Sequence, residues 1–431
     1  MMVRAIAGKE SLSPFASDRR ERAPKNFALA AGGELGAGLL SERFVRTGTM
    51  AGLVLSLAYL ALGIWYNLLP AGAGLTNRMG NAVGTDFIAF YGAARLTLQG
   101  MPEAAYDLTR YSALLAQIIG TGAARYSWSY PPLILLIIAP LGALPYLAAL
   151  ALWTGAGLGL LIAALYRLAR DWSLALAGLA HPGVVQSLIA GQNGIWSAGG
   201  FGLGLALLGS APWLAGIAFG MMAYKPQLLI LVPIALAAGG HWRALLSMGT
   251  TIGLFALLSI AAFGLDPWAA FLNQGMHHMG FVTGHELPWQ RMPTVFIAVL
   301  QATGRPVLAA IAQSVAAAAA AAACWAIWRR GPIDLAAIAA LTAGTALATP
   351  YAFDYDLALL ALPSVVALAG ERSFLERWDN VLLLMLVWTS PLVCQFGSKA
   401  AGLQIGPLLT AAILVLACRA ARSDRIISRP A

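Results

Sequence analysis

Charge is the scarcest property of this sequence. Only 10% of its 431 residues are Asp, Glu, Lys or Arg, against about 25% in an ordinary soluble domain. That is too little to coat a water-facing surface, so a soluble globular protein is excluded. Cysteine is nearly absent as well. Cys324, Cys394 and Cys418 all lie in apolar stretches and none pairs at metal-ligand spacing. They read as packing residues, so neither a disulfide framework nor a thiolate metal centre is expected. The two-residue alternation of a membrane barrel strand is missing too. No repeat period is visible, and the alanine run 316–323 needs no explanation beyond its place in a helix. Residues 1–48 hold eight basic and five acidic residues with no compact apolar core before a cleavage site, so a cleavable signal peptide is not expected.

What the chain has instead is apolar surface: 59% hydrophobic residues and a mean hydropathy of +0.74. Its long runs of Leu, Ala and Ile predict an all-α polytopic membrane protein. A spanning helix needs about 20 apolar residues. Clear runs lie at 49–69, 147–167, 244–263, 306–328, 333–349, 357–370, 381–397 and 402–418, with shorter ones at 173–190, 194–210, 213–224 and 227–240. Short runs suit a bundle that is broken around a site, because breaks are tolerated where they line a cavity.

The net charge of +9 would point to nucleic acid in a soluble protein. Here the basic residues sit in tails and short loops, as cytoplasmic loops do, and no nucleic-acid partner is expected. With 1–48 as a cytoplasmic tail, basic loops such as Arg329–Arg330 and the tail 419–431 fall inside after 12 crossings. Residues 70–130 then form a long first outer loop, and 49–418 is one membrane domain. The segment 131–145 is too short for a full span and reads as a partial insertion; if it crosses, 173–190 must be re-entrant. Five polar features land at the outer face: Asp86, Gly191–Asn193, Tyr224–Gln227, the loop 265–292 and Thr349–Asp356.

Each feature carries two readings. Thr85 is placed to cap a helix with Asp86 in its first turn, and the apolar stripe of Phe87, Phe90, Tyr91, Ala94 and Leu98 predicts an amphipathic helix on the outer membrane surface. Asp86 is then either a dipole-favoured carboxylate or a functional one. Tyr130, before Pro131 and Pro132, suits an interfacial belt or substrate contact. Gln192 and Asn193 suit a loop cap or a ligand site. Lys225 either snorkels or meets a phosphate. His277, His278, His285, Glu286 and Arg291 share one loop without metal-ligand spacing, so no metal is assigned. Asp354 and Asp356 form a weak Asp-x-Asp match, but carboxylates at a membrane face mark a pathway or a site.

As an ordered set, Asp86–Ala94 with Tyr106–Asp107, Tyr130–Leu133 with Ala139–Leu141, Gly191–Asn193, Lys225–Gln227 and Thr349–Pro350 resemble glycosyltransferase family 87, the polyprenol-phosphate-sugar-dependent membrane mannosyltransferases. The resemblance spans about residues 50–370. It implies a GT-C-type bundle of about 12 transmembrane helices with amphipathic helices in the first outer loop. It also implies a polyprenyl-phosphate hexose donor such as mannose, and Asp86 as general base. Family members often carry a Ser-Pro…His pattern near the last motif, where this chain has Thr349-Pro-Tyr-Ala-Phe-Asp-Tyr-Asp356.

The expected activity is inverting transfer to a lipid or glycan acceptor on the outer or periplasmic face of the plasma or inner membrane, with no cofactor. Expected substrate contacts are Tyr91, Arg95, Tyr130, Gln192, Asn193, Lys225, Gln227, His277, His278, Arg291, Tyr351, Asp354 and Asp356. The alternative is a transporter or flippase for a lipid-linked or anionic substrate, which would share the buried Lys225 and the carboxylates.

Overall fold

The computed structural model describes residues 47, 50–72, 74–120, 126–283, 287–370 and 378–427, apart from the side chains of 275–283, 378 and 422–427. All of its elements belong to one compact unit, Ser41–Ala431. The tail expected at 1–48 lies outside the described residues except for Thr47. Every element is helical, and among the described residues there is no strand, only two isolated bridges between Pro70 and Ala82.

Five helices are long and apolar enough to cross a membrane: α1 (Met50–Leu68), and below, in chain order, α5, α11, α14 and α17. Between α1 and α5 lie α2 (Phe87–Leu98), α3 (Leu108–Ile119) and the kinked α4 (Pro132–Ala143). After α5 (Tyr146–Ala169) come α6 (Trp172–Gly178) and α7 (Pro182–Ile189), bent by 59° and a sixth span if taken as one. Next are α8 (Gly194–Leu207), α9 (Pro212–Tyr224), α10 (Pro226–Ala238), α11 (Trp242–Phe263) and α12 (Asp266–Thr283). The chain closes with α13 (Val295–Thr303), α14 (Pro306–Trp328), α15 (Leu335–Ala348), α16 (Ala361–Ala369), α17 (Asp379–Ala401) and α18 (Gly406–Ile427). Each expected apolar run falls on a helix or a pair of short ones. The expected twelve crossings are nevertheless not reached by length among the described residues, because seven further apolar helical stretches, α18 counted to Ala421, have only 10–17 residues. The last helix also runs on to Ile427, beyond the expected end at 418; arginine is a good helix former and is favoured at a C-terminus.

The short helices have a physical explanation. α15 is buried on all sides from Ala336 to Ala348, which identifies it as the centre of the bundle. At 14 residues it is about 21 Å long, short of the roughly 30 Å hydrocarbon core. Its continuation is the irregular segment Thr349–Phe353 and then a 3-10 turn, Asp354–Leu360. In the same way α7 gives way to α8 through Gly191–Asn193, and α9 to α10 through Lys225. Each break puts polar residues at one place, where a cavity can satisfy them.

The segment expected to form the first outer loop departs from expectation in its helices. α2 is not an amphipathic surface helix, because Phe87 to Ala94 and Leu96 are all buried. Its aromatic residues explain this: Phe87 packs on Tyr146 at 5.4 Å between ring centroids, and Phe90 on Trp153 and Tyr130 at 5.1 Å each. α3 keeps the one-sided pattern, burying only Tyr111 and Leu115. Thr85 does not cap α2. It sits at φ 36°, a strained conformation for a β-branched residue, and its hydroxyl donates to the Ala190 carbonyl at 3.1 Å.

That contact ties the start of α2 to the turn between α7 and α8. The Asp86 amide also donates to the Ala190 carbonyl, at 3.0 Å, and the Trp153 indole donates to the Gly191 carbonyl at 3.2 Å. Gly191 has φ +62°, and a Cβ there would stand 2.6 Å from Phe87 Cβ and 2.7 Å from the Gly84 carbonyl oxygen. A Cβ on Gly194 would stand 2.2 Å from the Tyr355 carbonyl oxygen. Side chains at 191 and 194 would therefore push α2 and the Asp354–Leu360 turn away from α8. Gly191→Ala is expected to destabilise the fold by roughly 1–3 kcal/mol, read as a lower thermal unfolding midpoint of the purified protein. An unchanged midpoint would contradict this close approach.

Candidate active site

The breaks surround a cavity of about 850 Å³. Of the expected site residues, Asp86, Tyr130, Gln192, Lys225, Gln227, Arg291, Tyr351 and Asp356 line it. They come from six separate stretches of chain, spanning more than 250 residues of sequence.

Asp86 stands at the N-terminus of α2, half-buried in the cavity wall. Gln192 Nε2 donates to its Oδ2 at 3.2 Å, and the Tyr130 hydroxyl donates to Gln192 Oε1 at 3.3 Å. The Tyr130 carbonyl in turn accepts from the Tyr106 hydroxyl at 2.7 Å. A tyrosine thus orients an amide, and the amide orients a carboxylate. Burial raises the Asp86 carboxyl above the ordinary carboxylate range; Arg291 and the Gln192 hydrogen bond oppose that rise.

The other two carboxylates are neutralised. Lys225 Nζ meets Asp356 Oδ1 at 2.5 Å, with both side chains only 4% exposed. Asp356 Oδ2 also accepts the Phe353 amide at 3.0 Å, closing the first turn of the 354–360 segment. Arg291 forms a two-pronged pair with Asp354, Nε to Oδ2 and Nη2 to Oδ1, both at 3.0 Å. Arg291 is held in place from behind. It closes the 3-10 turn Trp289–Arg291, and Gln404 Nε2 donates to the Trp289 and Gln290 carbonyls at 3.2 and 3.0 Å. The Tyr355 ring lies between the cations, 4.7 Å from Lys225 Nζ and 5.9 Å from the Arg291 guanidinium carbon.

Four expected contacts are placed elsewhere. Tyr91 is buried, with its hydroxyl on the Leu144 carbonyl at 2.8 Å. Arg95 reaches back to the Gly142 carbonyl at 3.5 Å. Both follow from the burial of α2, which turns these positions towards α4. Asn193 is fully buried behind Gln192 and does not line the cavity. Asp354 is fully buried behind Arg291 rather than in the wall. The side chains of His277 and His278 lie outside the described residues, as do His285 and Glu286.

Cavity residues not singled out from the sequence include Tyr59 on α1, Gln186 on α7 and Gln395 on α17. Each is a polar residue inside an apolar run, the signal that marks intramembrane sites. Among the described residues no group of three or more His, Cys, Asp or Glu is arranged to hold a metal.

The arrangement suits a reaction in which one group loses a proton to a carboxylate while another departs as an anion beside two cations. A helical bundle with spans of membrane length around such a cavity defines a class, that of membrane proteins with a charged, polar site inside the bundle. The sequence profile of glycosyltransferase family 87 matches residues 128–350, just over half of the chain, and the chain belongs to that family. It is a membrane glycosyltransferase, and the transporter reading is set aside. No curated protein and no solved structure matches the chain.

The ion pairs carry their own test. Lys225→Met strands a buried, unpaired Asp356, and the expected loss of stability is about 3 kcal/mol. Adding Asp356→Leu removes the stranded charge and is expected to recover most of the unfolding midpoint. A single variant as stable as the wild type would show that the pair is not formed.

Proposed function

We propose that this glycosyltransferase moves a sugar, a hexose such as mannose, from a polyprenyl-phosphate donor to a lipid or glycan hydroxyl on the outer face of the cell membrane, inverting the anomeric centre. The bundle would be of the GT-C type, with the shorter apolar helices completing about twelve crossings around the cavity. The observation that carries this reading is the unequal state of the cavity carboxylates. Asp356 is held by Lys225, and Asp354 behind it by Arg291, whereas Asp86 has no ion-pair partner among the described residues and keeps one oxygen clear of Gln192.

Asp86 is therefore the carboxylate able to accept a proton. As the acceptor oxygen attacks the anomeric carbon, its proton passes to Asp86, and the bond from that carbon to the phosphate oxygen breaks with its electron pair on the leaving polyprenyl phosphate. Positioned base catalysis of this kind contributes roughly 10²–10⁴-fold. The departing phosphate gains charge and needs donors placed in advance. Lys225 has three N–H groups with one on Asp356, and Arg291 has five with two on Asp354, so both can bind phosphate without giving up their partners. Gln227 and Tyr351 add polar wall, and Tyr130 reaches the substrate through Gln192. A second, more open recess of about 620 Å³, walled by Glu103, Asp107, Asp266 and Gln274, shares Ser127 with the first cavity. It suits the approach of a polyhydroxyl acceptor.

Asp86→Asn keeps the size and the hydrogen bond to Gln192 but removes the base. Transfer from polyprenyl-phosphate hexose, measured on reconstituted protein, is expected to fall at least about a hundredfold with unchanged membrane expression. Full activity would remove Asp86 from the reaction. The pH dependence follows from the raised carboxyl. The base works only when ionised, so activity is present at higher pH and lost as pH falls through the Asp86 pKa. The acid limb of kcat/KM is thus expected above the value of about 4 typical of an exposed aspartate, and a limb at or below 4 would contradict the buried base.

A further inference from the structure

Among the polar side chains of the cavity wall that take no part in the reaction above are Tyr59, Gln186 and Gln395. They stand on three different helices inside apolar spans, and they bond to one another. Gln186 Nε2 donates to Gln395 Oε1 at 2.7 Å and to the Pro391 carbonyl at 3.3 Å. The Tyr59 hydroxyl donates to the same Gln395 Oε1 at 2.9 Å. Both amides are thereby fixed in orientation, with one half of each left over. Gln186 is only 2% exposed, and its Oε1 is buried with no hydrogen-bond partner. Gln395 uses its oxygen twice and its Nε2 not at all among the described residues.

An unpartnered buried amide oxygen costs about 1–3 kcal/mol, and ordinary packing would be served better by leucine. The backbone is also adjusted here. Gln395 lies in a π-helical turn, Val393–Gly397, a distortion that gathers at functional sites. That turn packs against the Trp289–Arg291 turn, so the amides stand beside the cation assigned to the leaving phosphate.

The chemistry of the unused atoms narrows the ligand. A fixed acceptor next to a fixed donor complements a hydroxyl, which both donates and accepts. An isoprenoid chain can use neither atom, and a phosphate would be repelled by the amide oxygen. We propose that Gln186 and Gln395, oriented by Tyr59, read ring hydroxyls of the donor sugar and set which hexose is accepted. The assignment to the donor rests on the transferase reading and on the contact with the Arg291 turn.

The test is binding to the purified full chain in lipid nanodiscs, which needs no turnover. The probes are polyprenyl phosphate without sugar and polyprenyl-phosphate mannose, glucose and galactose; mannose and galactose each differ from glucose in the orientation of one hydroxyl. The wild type is expected to separate the tightest from the weakest hexose by at least about tenfold, one hydrogen bond to a buried partner. In Gln186→Leu and Gln395→Leu the separation closes to within about twofold while the affinity for sugarless polyprenyl phosphate is kept. Should either fail to fold, the near-isosteric Gln186→Met and Tyr59→Phe make the same comparison. The proposal is overturned if the variants keep the wild-type separation, if they lose sugarless polyprenyl phosphate equally, or if the wild type binds all three hexoses alike, as it would if these amides faced the acceptor. A wild type that discriminates hexoses but transfers none to a lipid or glycan acceptor supports the subsite and refutes the proposed donor reaction, so the two failures are distinguishable.

Discussion

A charge inside a membrane bundle must be paired or hydrogen-bonded, because the desolvation penalty amounts to several kcal/mol per ion even after relaxation. The arrangement of this cavity follows from that requirement. Lys225 is tolerable because Asp356 meets it, and Arg291 because Asp354 meets it with both oxygens. Two cations can then face the proposed substrate phosphate with their charge already offset by Asp356 and Asp354. Asp86 is handled differently. It stands in the cavity wall at the N-terminus of α2, where the helix dipole favours a carboxylate and the Gln192 side-chain amide holds it. The cations are balanced in advance; the carboxylate proposed as base has no ion-pair partner among the described residues.

The backbone obeys the same rule. Peptide groups within a bilayer must find partners inside the protein or beside water. The chain leaves helical geometry at Gly191–Asn193, at Lys225, at Thr349–Phe353 and near Gln395, and each departure borders the cavity. The two buried glycines of the first break let α2, α8 and the Asp354–Leu360 turn approach to within van der Waals distance. Positioning of Asp86 therefore depends on a turn more than 100 residues further along the chain.

Much of this was legible in the sequence. The scarcity of charge gave the membrane class, and the apolar runs gave the helices to within a few residues. Asp86, Gln192, Lys225, Arg291 and Asp356 stood out as polar groups beside apolar segments, and the structure gathers them. Other features were hidden for identifiable reasons. The periodicity of α2 looked one-sided because Gly92 and Ala93, buried off the stripe, have little hydrophobic weight, although small residues are what allow close packing. Tyr91 and Arg95 were misplaced with it. The pairing of Lys225 with Asp356 across 131 residues, and of Arg291 with Asp354 across 63, is a tertiary fact that no local pattern carries. Gln186 and Gln395 were isolated polar residues in apolar runs and were readable in principle.

In the proposed reaction a single available carboxylate, Asp86, acts as base in one displacement step. The anomeric configuration of the product tests this most directly. With a donor of defined configuration at the carbon bound to phosphate, the transferred sugar is read by nuclear magnetic resonance from its one-bond carbon–hydrogen coupling at that carbon. The account predicts the opposite configuration in the product. Retention would require a second carboxylate or another nucleophile to form a covalent intermediate, and would contradict the roles assigned to Asp86, Asp354 and Asp356.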